Sequence, residues 1–195
     1  MVRRSKRTLF AVRNGFCCGV DEVGRGAIAG PVVSAAVILP RGYYPVGLDD
    51  SKKLSKTKRE ALYEIITKNC TFAIGSASNE EIDSMNIHNA SLLAMKRSVE
   101  NLSKQPSFVF VDGKFNLDID IENKAVINGD ALIDAISAAS IIAKVYRDNY
   151  MREMHNCFPN YDFINNMGYP TKSHKIALKK YGPSEIHRLS FRGVL

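Results

Sequence analysis

Cysteine is scarce in this chain and is not grouped. The four cysteines, Cys17, Cys18, Cys70 and Cys157, include no pair with the spacing of a metal-ligand set. Cys17 and Cys18 are neighbours and would face opposite ways along a strand. A zinc cluster is therefore disfavoured, and buried free thiols in a reducing compartment are expected. Long apolar runs are also missing. No segment approaches the ~20 apolar residues of a membrane span. The N-terminus carries Arg3, Arg4, Lys6 and Arg7, and its apolar patch Leu9–Val12 is shorter than the ~7–15-residue core of a secretory signal. A cytoplasmic protein with no membrane association is the expectation. No Gly-x-x-x-x-Gly-Lys-Ser/Thr pattern occurs, which argues against a P-loop ATPase. Internal repeats and low-complexity linkers are absent as well.

Basic residues, in contrast, are in surplus. Lys plus Arg number 27 against 20 for Asp plus Glu, a net charge of +7. Such a balance favours polyanionic partners, nucleic acid above all, and says nothing about fold. With 195 residues and 45% hydrophobic content, the chain suits one domain spanning 1–195. Residues 1–8 read as a basic tail and about 150–195 as a helical C-terminal part.

The pattern of elements is α/β. Phe16–Val23 and Pro31–Leu39 read as strands separated by Gly30-Pro31. Ser55 is the expected N-cap of a helix through Lys68. Its first turn holds Lys56, Lys58 and Arg59, which opposes the helix dipole unless an anion sits nearby. Thr71–Ser76 reads as a third strand and Asn89–Leu102 as an amphipathic helix. Short apolar strands at Ser107–Val111 and Ala125–Ile127 follow. A long helix is predicted from about Leu132 to His155, with small residues that suit packing on a sheet, and a short one over Lys172–Tyr181. The early strands, joined by short turns, should pair antiparallel, and the later ones, after long connections, parallel.

Acids close several of the apolar runs. Asp21 and Glu22 end the first strand, Asp112 closes Phe108–Val111, and Asp130 precedes the long helix. At the strand ends of an open α/β sheet, such acids would share the rim where ligands collect. Gathered carboxylates repel one another unless a cation intervenes. The fitting cation is Mg²⁺ or Mn²⁺, and two such ions can clamp an in-line displacement at phosphorus. Taken singly, Asp112 also reads as a turn residue. Asp130 also reads as an N-cap, with Asp134 four residues on competing for its role.

Gly24-Arg25-Gly26 follows the first pair of acids at once. Glycine lets the backbone approach a sugar or phosphate closely, and an arginine can grip phosphate. Gly-x-Gly alone is a weak signal, but beside Asp21-Glu22 it becomes specific.

These blocks together resemble bacterial ribonuclease HII over about Gly19 to Phe191. Asp21–Gly26 matches the family's Asp-Glu-x-Gly-Arg-Gly element, Asp50–Leu54 its Asp-Ser-Lys-x-Leu, and Asn86-Ile87 a helix start. Val111-Asp112-Gly113, Gly129-Asp130, Ile136–Val145, Arg147-Asp148, Gly168–His174 and His187–Phe191 complete the series in order. Met167 departs from the Lys that many members carry, and no clamp-binding tail is evident at Val194-Leu195.

The resemblance implies an RNase H-like fold, a central mixed five-stranded sheet flanked by helices, with a C-terminal helical part. It implies cleavage of RNA in RNA–DNA hybrids and incision 5′ of ribonucleotides embedded in duplex DNA, leaving 5′-phosphate and 3′-hydroxyl ends, in ribonucleotide excision repair. The implied catalytic and metal-binding residues are Asp21, Glu22, Asp112 and Asp130, with Mn²⁺ or Mg²⁺, two ions during catalysis. Gly24, Arg25 and Gly26 would read the 2′-hydroxyl and Tyr169 would stack on the adjoining sugar. Lys53, Ser140 and Lys144 are phosphate-contact candidates. A monomer with no protein partner is expected. Two alternatives stand beside this one. Ribonuclease HIII shares the fold but usually lacks this Gly-Arg-Gly and carries an extra N-terminal domain. A non-catalytic nucleic-acid-binding module would share the charge but not the gathered acids.

Overall fold

The computed structural model describes residues 16–43, 45, 47–48 and 54–195. The basic tail at 1–8, Lys53 and the rest of the Asp50–Lys53 stretch lie outside the described residues.

Five strands form one sheet: β1 (Cys17–Val23), β2 (Val32–Ile38), β3 (Thr71–Ala77), β4 (Phe108–Asp112) and β5 (Asn123–Val126). Their order across the sheet is β3-β2-β1-β4-β5. The pairs β1–β2 and β2–β3 are antiparallel, and β1–β4 and β4–β5 are parallel. The mixed sheet is the one expected, for the expected reason. The connection from β1 to β2 is a short loop, whereas β4 is reached only after a helical crossover.

The helices are α1 (Lys56–Asn69), α2 (Asn79–Glu100), α3 (Gly129–Leu132), α4 (Asp134–Cys157), α5 (Phe163–Asn166) and α6 (Lys172–Tyr181), with a 3₁₀ turn at Pro159–Tyr161. They cover both faces of the sheet. On one face Met95, Val99 and Leu102 pack against Cys18, Val20, Ala36, Ile38, Val109 and Val111. On the other, Leu62 and Ile66 of α1 and Ala138, Ile141 and Ile142 of α4 pack against Ala35 and Val37. The alternation Ala35–Ile38 sends successive side chains to opposite cores, which is why β2 is buried throughout. Small residues let α4 lie close on β1. A Cβ at Gly19 would fall 2.2 Å from the carbonyl carbon of Ala135.

Several boundaries differ from the sequence reading, among them the fifth strand, which spans Asn123–Val126 and not Ala125–Ile127. Ser55 caps α1 as expected, its side chain accepting from Lys58 N. However, α2 begins at Asn79, well before Asn89. Ser78 and Glu81 form a capping box there, a Ser-x-x-Glu signal that the apolar spacing had masked. The helix then breaks at Asn86, whose φ is 71°, and Asn86 Oδ1 accepts from the N–H groups of His88 and Asn89. So the helix start at Asn86-Ile87 is a second N-cap inside α2. The long helix near residue 132 is in fact two, because Ile133 is extended (φ −125°, ψ 119°) between α3 and α4. The 3₁₀ turn and α5 were not anticipated, whereas α6 spans the residues expected.

The thiols also differ from expectation. Cys18 is buried, Cys17 and Cys70 are half-buried, and Cys157, at the end of α4, is exposed. Among the described residues no helix is long and apolar enough to cross a membrane.

The C-terminal segment folds back on the loop after β1. Tyr161, Phe163, Leu178 and Val194 make a cluster with Ile28, Ala29 and Met151. Ile28 N donates to Gly168 O at 2.8 Å, Gly30 N to Ile186 O at 2.8 Å and Arg188 N to Ile28 O at 2.9 Å. Segments more than 130 positions apart in sequence therefore hold one short loop.

Candidate active site

The parallel register sets the rim. Val20 lies level with Val111, so Asp21 and Asp112 come next at the same end of adjacent strands. Glu22 follows Asp21 directly. Ligand oxygens of Asp21, Glu22 and Asp112 all lie within 4.8 Å of one another.

Each acid is held by a different part of the fold. Asp21 Oδ1 accepts from Glu22 N at 2.8 Å, and its carboxylate also bonds Ser140 from α4. The Asp21 main chain is tied as well, Ser34 Oγ donating to its carbonyl at 2.7 Å. Asp112 Oδ1 accepts from Gly129 N at 2.7 Å, which joins α3 to the end of β4. Glu22 Oε1 pairs with Arg25 Nη1 at 3.3 Å. Its Oε2 is buried with no hydrogen-bond partner among the described residues.

The electrostatics are those of acids under mutual pressure. Burial, then the charges of Glu22 and Asp112, hold the Asp21 carboxyl well above the usual carboxylate range, against the pull of the Ser140 and Glu22 N–H bonds. Burial also raises Glu22, with Arg25 opposing and Asp112 adding to the shift. An all-carboxylate donor set with a buried, unmatched oxygen fits a hard divalent cation and not a soft one.

Asp130 lies outside that group of three. It is buried in α3, next in sequence to Gly129, the donor to Asp112. The capping alternative for Asp130 falls away, because the N-cap position of α3 is Asn128. Asp134 opens α4, beyond the break at Ile133, so the two acids do not share one continuous helix.

The loop after β1 runs beside these acids. Arg25 and Gly26 are its exposed residues, with Gly24 and Ala27–Gly30 buried. Gly24 has φ 94°, and a Cβ there would meet Arg147 Nε at 2.3 Å. Only glycine meets both demands. Tyr169 borders the same loop, since a Cβ on Gly26 would lie 3.9 Å from its ring. The Lys144 ammonium is 5.9 Å from the Tyr169 ring centre and pairs with Asp148 at 2.8 Å. Of the phosphate-contact candidates, Lys144 thus stands near Tyr169, Ser140 bonds Asp21, and Lys53 is outside the described residues.

Sequence reasoning gave no role to four buried side chains behind the loop. Arg147 and Arg188 are fully buried and donate to loop carbonyls. His174 and His187 are also buried and meet at 3.0 Å through their Nε2 atoms. His174 Nδ1 is 2.9 Å from Tyr169 O. Nothing in an arginine's sequence context marks it as buried. The matched Arg147-Asp148 and His187-Arg188 blocks were the only signal available.

A mixed sheet in this order, with carboxylates at adjoining strand ends, defines a nuclease of the RNase H-like fold. The family model described as Ribonuclease HII matches residues 18–194. A ribonuclease HII of Borrelia recurrentis is 53% identical over 177 residues, 90% of this chain and 98% of that protein. A ribonuclease H2 of Pyrococcus horikoshii superimposes with a TM-score of 0.81 at 24% identity, covering 92% and 95% of the two chains. A ribonuclease HII of Archaeoglobus fulgidus, solved in complex with PCNA, gives 0.71 at 24% identity, covering 91% and 95%. The chain belongs to the ribonuclease HII family and is a type 2 ribonuclease H, an endoribonuclease.

Proposed function

We propose that this enzyme incises 5′ of single ribonucleotides embedded in duplex DNA, cleaves the RNA strand of hybrids, and leaves 5′-phosphate and 3′-hydroxyl ends. It would serve ribonucleotide excision repair in the cytoplasm, as a monomer. Asp21, Glu22 and Asp112, completed by Asp130 from α3, would hold Mg²⁺ or Mn²⁺, two ions during catalysis. When bound, such ions supply Lewis acidity toward the scissile phosphate and its attacking water.

The protein's own contribution is positioning. Asp112 is held at the rim by Gly129 N–H and Asp21 by Ser140. Arg25 and Gly26 face solvent beside the acids, and their amides donate to no acceptor among the described residues. A 2′-hydroxyl both donates and accepts, and it is the group that separates RNA from DNA at one site. Tyr169 borders this loop and would stack on the following sugar. Main-chain reading involves no base edge, so cleavage should be independent of sequence. The surplus of Lys and Arg would supply salt-sensitive affinity for the duplex.

The observation that carries this reading is the buried, unmatched Oε2 of Glu22 within a cluster of three carboxylates. The test is a labelled duplex containing one ribonucleotide, incubated with Mg²⁺, with Mn²⁺ and with EDTA. Incision on the 5′ side of the ribonucleotide, abolished by EDTA, is expected. Cleavage that survives chelation, or cleavage only within runs of ribonucleotides, overturns it.

A further inference from the structure

We infer that Arg147 and Arg188 are positioning residues that aim the Arg25–Gly26 segment at the ribose. The inference rests on the reading of that loop given above and deepens it.

Both side chains are fully buried. Among the described residues neither pairs with a carboxylate. All their bonds go to main-chain carbonyls. Arg147 donates from Nε to Pro31 O at 3.0 Å, from Nη1 to Met167 O at 2.8 Å and from Nη2 to Ala29 O at 3.0 Å. Arg188 donates from Nε to Gly30 O at 2.9 Å and from Nη1 to Arg25 O at 3.0 Å. Its Nη2 is buried without an acceptor among the described residues. Arg147 lies 5.5 Å from the Tyr169 ring centre and Arg188 5.1 Å from that of Phe191, but two buried like charges without a hydrogen-bonded carboxylate, and one unmatched donor, are still costly. An apolar side chain of the same volume would leave these five carbonyls without donors, so the arginines serve the carbonyls and not merely the space.

What the arginines determine is the orientation of four loop peptides. A peptide is planar and trans, so its carbonyl and the next N–H point opposite ways. With Arg25 O drawn inward onto Arg188, the N–H of Gly26 must point outward. Arg147 and Arg188 fix the far end of the loop through Ala29, Gly30 and Pro31. Arg147 also fills the space where a side chain on Gly24 would sit. The two guanidiniums add positive potential beneath the outward amides, where an oxygen-rich ligand would bind. Lysine keeps the charge but lacks the fork that holds two carbonyls at once.

The test compares wild type, Arg188→Lys and Arg147→Lys in one competition assay. The readout is the inhibition constant of an all-DNA duplex divided by the KM of the same duplex carrying one ribonucleotide. An unfolded fraction lowers the maximal rate and leaves this ratio unchanged, so partial destabilisation does not obscure the result. The ratio should fall about tenfold in Arg188→Lys, the effect of one lost charge-assisted bond, and also fall in Arg147→Lys. A wild-type ratio near one would remove the ribose-reading assignment and this inference with it. A wild-type ratio well above one that both lysine variants retain overturns the inference alone.

Discussion

His174 and His187 touch through Nε2 at 3.0 Å, and their bonds define one proton arrangement. Ser184 N donates to His187 Nδ1 at 2.9 Å, so that nitrogen is bare and His187 donates through Nε2. His174 accepts there and donates from Nδ1 to Tyr169 O. Both rings are neutral in this chain of bonds. Burial lowers both, and the neighbouring His174 helps to hold His187 down to about 4. A lowered histidine binds fewer protons folded than unfolded, so stability rises with pH. The contribution of His187 is complete above its ordinary value of 6.5 and is lost as pH falls toward about 4. The urea midpoint of wild type should drop between pH 7 and pH 5, and that drop should be smaller in His187→Asn. Equal pH dependence in both proteins would show that the pair is not neutral when folded.

Asp21→Asn should stabilise the protein in EDTA. The buried carboxyl is raised, so its folding contribution is complete at acid pH and is lost as pH climbs through the folded value. At neutral pH, removal of that charge should raise stability and abolish activity. Mg²⁺ or Mn²⁺ should raise the melting temperature of wild type more than that of the variant. A variant less stable than wild type in EDTA would mean that Asp21 is already compensated without metal.

Asp112→Asn should keep the fold, because its oxygen can still accept from Gly129 N. Turnover should fall by more than about a hundredfold, with duplex affinity largely retained. Asp130→Asn should cost more activity than Asp134→Asn. Steady-state rates on the one-ribonucleotide duplex decide both comparisons, and the reverse ranking would exchange the roles of Asp130 and Asp134.

Tyr169→Ala should reduce incision at a single ribonucleotide about tenfold more than cleavage of a long hybrid, the scale of one lost aromatic stack. The ratio of kcat/KM on the two substrates measures it. Equal losses would leave Tyr169 a general contact and not a sensor of the RNA-to-DNA junction.

The sheet was legible because its signals are local. The apolar run Phe108–Val111 stops at an acid, and Gly30-Pro31 separates β1 from β2. From those stops, the gathering of Asp21, Glu22 and Asp112 could be expected. Asn86 and Ile133 were harder. At Asn86 the resemblance marked a helix start, but the apolar spacing began only at Asn89, so the turns from Asn79 were missed. An extended isoleucine at 133 leaves the spacing around it almost intact, and there the spacing reads straight through. Arg147 and Arg188 were hidden more deeply. A lone cation reads as solvated, and it is the meeting of the loop after β1 with the C-terminal segment that removes both from water. Met167 shows the same limit. Its carbonyl accepts from Arg147 at 2.8 Å, a main-chain role that side-chain identity does not reveal.

The stapling of residues 28–30 by residues 168 and 186–188 sets an order of events during synthesis. The whole sheet and all four acids have been synthesised by residue 130, but the hydrogen bonds that shape the turn after β1 await residue 188. A nascent chain thus carries its acidic groups for tens of residues before that turn can be fixed. The turn takes its final shape late in translation, once polypeptide from residues 168–188 has returned to the first hairpin.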